Sequence, residues 1–172
     1  ASEGLDAAGE HTWSVACEPG RIYLPCNVPH RLAQITFDRI YGTHYADSNA
    51  QWLDWVHEHM EHPTEGVLYD MFYPFGPGES VAGSAPPQLN DRISGVYNGW
   101  SIWMLAGLDG AWSKELYPAY KQTFVVSGQA SPEPDGRTMV LDRTGATGLS
   151  GDALNLVATG FGMVVARQFS DD

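Results

Sequence analysis

Residues 94–108 read SGVYNGWSIWMLAGL, and after Asp109 a second run, GAWSKELYPAYKQTF, follows over 110–124. The first run is almost wholly apolar, with Trp100, Ile102, Trp103 and Leu105, and predicts a buried helix from Ser94 to Leu108. Its early glycines, Gly95 and Gly99, predict either close helix packing or a crowded pocket. Asp109 carries a side chain suited to capping a helix, and Trp112, Leu116, Tyr120 and Phe124 recur at every fourth residue behind it. Pro118 inside that run is expected to kink it. Two helices joined by so short a turn form a hairpin, the unit from which an all-α fold is built.

The same pattern recurs upstream. Asn27 is read as a cap, Pro29 falls near the first turn, Leu32, Ile35 and Ile40 follow at near-helical spacing, and Gly42 supplies the stop. A second helix is expected after Asp47-Ser48, with Trp52, Leu53, Val56 and Met60 as its stripe and Pro63 beyond its end. Residues 66–75 are aromatic and alternating, which predicts a short β excursion, followed by a Gly- and Pro-rich loop to about Leu89. Residues 127–149 are read as loop, and Ser150 or Gly151 as the start of a last helix that covers Ala153 to Phe169. Residues 1–12 carry no periodic apolar face, and Pro19, Gly20 and Pro25 prevent Trp13 to Cys26 from forming one regular element. Helix pairs with short turns predict an α/α architecture in a single helical domain over 1–172, with a toroid of pairs as the natural candidate. The chain begins at Ala1 rather than Met and closes on Asp171-Asp172 just after a helix, as a fragment of a longer barrel would.

Composition narrows the function. Hydrophobic residues make up 43% of 172 and charged residues 17%, which suits a folded soluble domain. Nine basic against 21 acidic residues give a formal charge of −12, a surface that repels phosphate backbones and anionic lipid. No nucleic-acid partner is expected. No stretch approaches the ~18 apolar residues of a membrane span, and no apolar secretory leader region opens the chain. Two cysteines cannot build a disulfide scaffold, and they lack the CxxC or His spacing of zinc sites, so no metal is expected and no compartment follows.

The cysteines nevertheless form the best chemical constellation. Cys17-Glu18-Pro19 and Pro25-Cys26-Asn27 put two thiols nine positions apart in a Pro-flanked loop that enters a helix. A free thiol titrates near ~8.5, and a helix N-terminus lowers that value. Cys26, just before the expected cap, is therefore the better candidate for a tuned acid or base. Spacing alone leaves three readings open: inert buried cysteines, a disulfide or redox pair, and a catalytic pair.

The run Ala16-Cys17-Glu18-Pro19, then Pro25-Cys26-Asn27, resembles the cysteine segment of the linalool dehydratase/isomerase family. Similarity continues in order through Tyr41-Gly42-Thr43-His44-Tyr45, Trp52-Leu53-Asp54-Trp55 and the run Leu116 to Phe124, over roughly residues 13–126, with a weaker echo over 148–169. The resemblance implies an (α/α)6 barrel and cofactor-independent dehydration, hydration or allylic isomerisation of a terpenoid alcohol. It also implies a homo-oligomer with active sites near subunit contacts. Both family cysteines fall on Cys17 and Cys26, a pocket aromatic on Tyr23, and a tryptophan of the apolar helix on Trp100. A family tyrosine that points into the site falls on Val96, with Tyr97 one position away, and the family's histidine and aspartate–tyrosine groups lie upstream of anything present here.

Other residues are weighed beside these. Glu18 can polarise a substrate hydroxyl or tune a thiol, or make a structural hydrogen bond. Tyr97 can relay a proton through its phenol, or sit as an amphipathic aromatic at a helix surface. His57, His59 and His62 do not share one helix face and read as a solvated helix end. His30 reads as a packing residue, and Asp70 faces either pocket or solvent. Six Trp and eight Tyr can line a cavity for a hydrocarbon chain or stack on sugar rings. The competing reading is thus a carbohydrate-active toroid, an epimerase, lyase or glycosidase working with paired carboxylates, and the third is a non-catalytic helical module. No distinctive carboxylate pair stands out for the second, which also leaves the cysteines without a role.

Overall fold

A computed structural model describes residues 10–75, 88–89, 93–127, 138–142, 153–154 and 156–171. The chain divides into two compact units, Ala1–Glu61 with Tyr69–Asp91, and His62–Leu68 with Arg92–Asp172. Helix dominates both, as the hairpin pattern predicts. The strands are short.

The first unit holds β1 (Ile22–Tyr23), α1 (Leu24–Tyr41), a 3-10 turn (Tyr45–Ser48), α2 (Asn49–His59), β2 (Met71–Tyr73) and β3 (Gln88–Leu89). The three strands form an antiparallel sheet in the order β1-β2-β3, with Ile22 opposite Phe72 and Phe72 opposite Leu89. α1 starts four residues earlier than the Asn27 cap predicts, because Pro25 occupies the first turn, where its missing N–H costs nothing. The Leu24 amide at the head of the helix instead donates to the Asp70 carbonyl at 3.2 Å. Gly42 ends α1 as expected, at φ 65°, with its amide returning to the Asp38 carbonyl. Trp52 and Val56 of α2, fully buried with Val28 of α1, form the core, and Trp55 meets Phe72 edge-on with ring centroids 5.2 Å apart.

The second unit contains α3 (Gly95–Leu105), α4 (Gly110–Phe124), β4 (Val125–Val126), β5 (Met139–Asp142), β6 (Ala153–Leu154) and α5 (Leu156–Gln168). The cap read at Asp109 is present, its Oδ1 accepting from the Trp112 amide, and Ser94, read as the first helical residue, is instead the cap of α3, its Oγ accepting from the Val96 and Tyr97 amides. Pro118 sits inside α4, which continues through it as one helix. α3 packs against both α4 and α5. The close-packing reading of its glycines is the correct one: a Cβ on Gly95 would lie 2.1 Å from the Leu141 carbonyl oxygen, and one on Gly99 3.0 Å from Phe161 Cβ and Tyr120 Oη. Two local readings need correction. The segment read as loop contains β5, which pairs with β4 and β6, and Ala153–Leu154 is a strand, so the last helix begins at Leu156. β5 is too short to stand out amid Gly and Pro.

Among the described residues, no helix is long and apolar enough to cross a membrane.

Candidate functional site

The loop that carries Cys17 is held from both ends. Residue 14 is fixed by Trp52, whose indole N–H donates to Ser14 Oγ at 3.0 Å in the buried interior. Val15 is gripped by the side chain of Asn27: the Val15 amide donates to Asn27 Oδ1 at 2.8 Å, and Asn27 Nδ2 donates to the Val15 carbonyl at 3.0 Å. The same Nδ2 donates to the Tyr23 carbonyl at 2.9 Å. Asn27 is buried and directly follows Cys26, so one amide ties the approach to Cys17 onto the turn of α1 that bears Cys26.

Past Cys17 the chain reverses in four residues. The Arg21 amide donates to the Glu18 carbonyl at 3.0 Å, with Pro19 and then Gly20 at φ 69° between them. Pro fixes the second position of such a turn, and the third requires a positive φ that Gly adopts without strain. The Arg21 guanidinium also pairs with Glu18 Oε2 at 3.0 Å and hydrogen-bonds the Tyr23 side chain. Glu18, Arg21 and Tyr23 thus form one polar rim beside the thiols.

The two thiols are free and exposed, and Cys17 is near enough to act on the titration of Cys26. The sequence expectation of a lowered Cys26 titration is overturned. Desolvation of its sulfur, then the neighbouring Cys17 thiol and the negative charges of Cys17 and Glu18, push the thiol up to about 12. Cys26 occupies the third helical residue of α1 rather than the position before a cap, and the positive end of one helix is outweighed by these terms. At neutral pH Cys26 is a protonated thiol: it can give a proton, and the thiolate left behind is a strong base.

Tyr23 lies half-buried at the junction of β1 and α1. Tyr97 and Trp100 belong to α3 in the second unit. Tyr97 is half-buried in the first turn, where its amide takes part in the Ser94 cap. Trp100 donates its indole N–H to Met104 Sδ at 3.2 Å and stacks on Phe161 at 5.4 Å, so this ring packs α3 onto α5. The histidines have local partners: His57 pairs with Glu61 at 3.1 Å, His59 lies against the Trp55 ring, and His62 Nδ1 accepts from the Glu65 amide. Asp70 is buried, which removes the solvent-facing alternative. Sequence reasoning missed two residues of this site, Arg21 and the true role of Asn27. The Glu-Pro-Gly-Arg turn signal could have found the first.

No protein-family model matches the chain. Among solved structures it is similar in fold to a family 76 glycoside hydrolase from a bovine Bacteroides thetaiotaomicron strain, an (α/α)-toroid enzyme, with a TM-score of 0.52 and 13% identity. The match covers 91% of this chain and 31% of the hydrolase chain. It is a likeness of helical architecture.

Proposed function

We propose that this chain carries the thiol centre of a cofactor-independent hydro-lyase/isomerase of the linalool dehydratase/isomerase type, acting on an apolar allylic alcohol within an (α/α)6 barrel. The observation that carries this reading is the pair of free, exposed thiols, Cys17 and Cys26, which act on one another electrostatically beside Glu18, with the Asn27 clamp holding the loop. The ordered sequence resemblance supports it, and the helical-toroid likeness bears on the fold alone.

In the proposed reaction Cys26 gives its proton to the substrate hydroxyl. The C–O bond breaks with its electron pair on oxygen, and water leaves an allylic cation. Cys17 passes its proton to the Cys26 thiolate, then takes the proton of the adjacent C–H as that electron pair becomes the new C=C bond. Both thiols end protonated, so no external acid, base or oxidant is consumed. Hydration runs the same steps backwards, and return of water to the far allylic carbon gives isomerisation. Glu18 and Arg21 orient the hydroxyl, and Tyr23 supplies apolar wall that keeps bulk water from the cation. Assembly into a homo-oligomer belongs to the same proposal.

A second reading is favoured by one observation, the fold likeness to the glycoside hydrolase: a carbohydrate-active toroid in which the cysteines are bystanders. Turnover assays separate the two. The first reading expects dehydration of linalool and no release of sugar from an oligosaccharide panel, and the second expects the reverse.

A further inference from the structure

The second unit contains a cavity of about 410 Å³ with no part in the thiol chemistry, within the size range of small-molecule sites. Val125, Met139, Val140 and Met163 form its apolar wall. Among the described residues that line it, Lys121 and Asp171 alone carry charge, and they share one edge with Tyr117. Tyr117 and Lys121 stand one turn apart on α4 and aim at a single atom: the Tyr117 hydroxyl donates to Asp171 Oδ2 at 2.8 Å, and the Lys121 ammonium donates to the same oxygen. The ammonium also lies 5.7 Å from the centre of the Tyr117 ring, a cation–π contact that keeps it beside the hydroxyl. Burial, and then the Asp171 carboxylate, push the Tyr117 phenol above its ordinary titration range, so it remains a donor at physiological pH. A hydroxyl donor and a cation that converge on one oxygen form a seat for a carboxylate.

The group that fills this seat is held less firmly than the seat itself. Asp171 follows the last turn of α5, where its amide donates to the Ala166 carbonyl at 3.0 Å. That closure puts Ser170 at φ 54°, left-handed backbone that glycine adopts freely and a residue with a Cβ adopts at a cost. The Lys121 and Asp171 side chains keep 45% and 34% of their surface exposed, so solutes can reach the pair. An ion pair this open to water gains little net free energy. The Asp171 carboxylate is therefore tethered to a strained turn and open to exchange.

We infer that this cavity is a binding site for a monocarboxylate with an apolar tail, whose carboxylate replaces that of Asp171 between Tyr117 and Lys121 while the tail lies along the apolar wall. Asp171 is an internal stand-in that fills the seat in the free chain, and its departure relaxes the turn at Ser170. Both parts of the ligand are needed: acetate lacks the tail, and 1-octanol lacks the charge. The site does not depend on the thiol proposal.

The test is titration of the full chain with octanoate, acetate and 1-octanol, read by NMR of methyl-labelled Met139 and Met163. Octanoate should shift both methyls saturably, and acetate should not. Asp171→Ala, which empties the seat, should bind octanoate roughly tenfold or more tightly than the parent, as removal of an internal competitor requires, and should leave 1-octanol within about twofold. Asp171→Asn, a milder change that keeps the side chain's shape, should gain in the same direction. Lys121→Gln added to Asp171→Ala should erase the preference for octanoate over 1-octanol, since it removes the cation. Cys17→Ala should bind octanoate like the parent, whatever its effect on turnover. Absence of saturable octanoate shifts, equal octanoate binding by the parent and both Asp171 variants, a matching gain for 1-octanol, or a preference that survives Lys121→Gln would each overturn the inference.

Discussion

Asn98 closes both backbone hydrogen bonds of Leu68: the Leu68 amide donates to Asn98 Oδ1 at 2.8 Å, and Asn98 Nδ2 donates to the Leu68 carbonyl at 2.9 Å. Asn98 Nδ2 also donates to the carbonyl four residues back, Ser94, at 3.0 Å. Asn27 does the same in the first unit, with Val15 and Tyr23 in those roles. Both asparagines are the fourth residue of their helix. Each unit therefore anchors an extended segment on the first turn of a helix by one device. Asn98→Ala leaves the Leu68 amide and carbonyl buried without partners, and should cost about 2–4 kcal/mol. Chemical denaturation of the variant checks this, and a loss under about 1 kcal/mol would contradict the clamp.

Cys26 should resist alkylation. A thiol titrating near 12 is far less ionised at pH 8 than a free thiol at ~8.5, so iodoacetamide should react at least about a hundredfold more slowly with folded Cys26 than with the same residue in denaturant. The folded value lies above the unfolded one. The fold's preference for the protonated thiol is therefore fully felt below about pH 8 and is lost as pH rises from the free-thiol value toward 12. Alkylation should keep accelerating above pH 10, and a plateau near pH 8 would show an ordinary or lowered thiol.

Gly95→Ala should destabilise the second unit by about 1–3 kcal/mol. The added methyl meets a backbone carbonyl oxygen, that of Leu141, which cannot rotate aside as a side chain would. A thermal melt measures the loss. An unchanged midpoint would mean that β5 does not lie against the start of α3.

Much of this fold can be read from caps and periodicity. Ser94, Asp109, Gly42 and the stripe through Trp52 and Val56 each mark an element by chemistry local to it. β5 and β6 lacked such signals, because strands of four and two residues gain their definition from partners distant in sequence. Asn27 shows the same limit from another side. Its residue type correctly announced backbone hydrogen bonding, but two of the bonds go to Val15, twelve positions away, beside the one to Tyr23 at the adjacent helix end. At the site, the pairing of Cys17 with Cys26 was suggested by motif, whereas the upward displacement of Cys26 depends on the proximity of Cys17 and Glu18 that only the folded loop creates. Trp100 was legible as an aromatic of the apolar helix, and its stacking on Phe161 was not.

The most direct test of the thiol pair is linalool turnover by Cys17→Ala, Cys26→Ala and the double variant, each verified as folded. Two sulfhydryls that exchange one proton act as a unit, so each single substitution should lower kcat by roughly 10²–10⁴-fold, and the double should fall no further than the worse single. Near-parental turnover in either single variant, or losses that multiply in the double, would contradict the account.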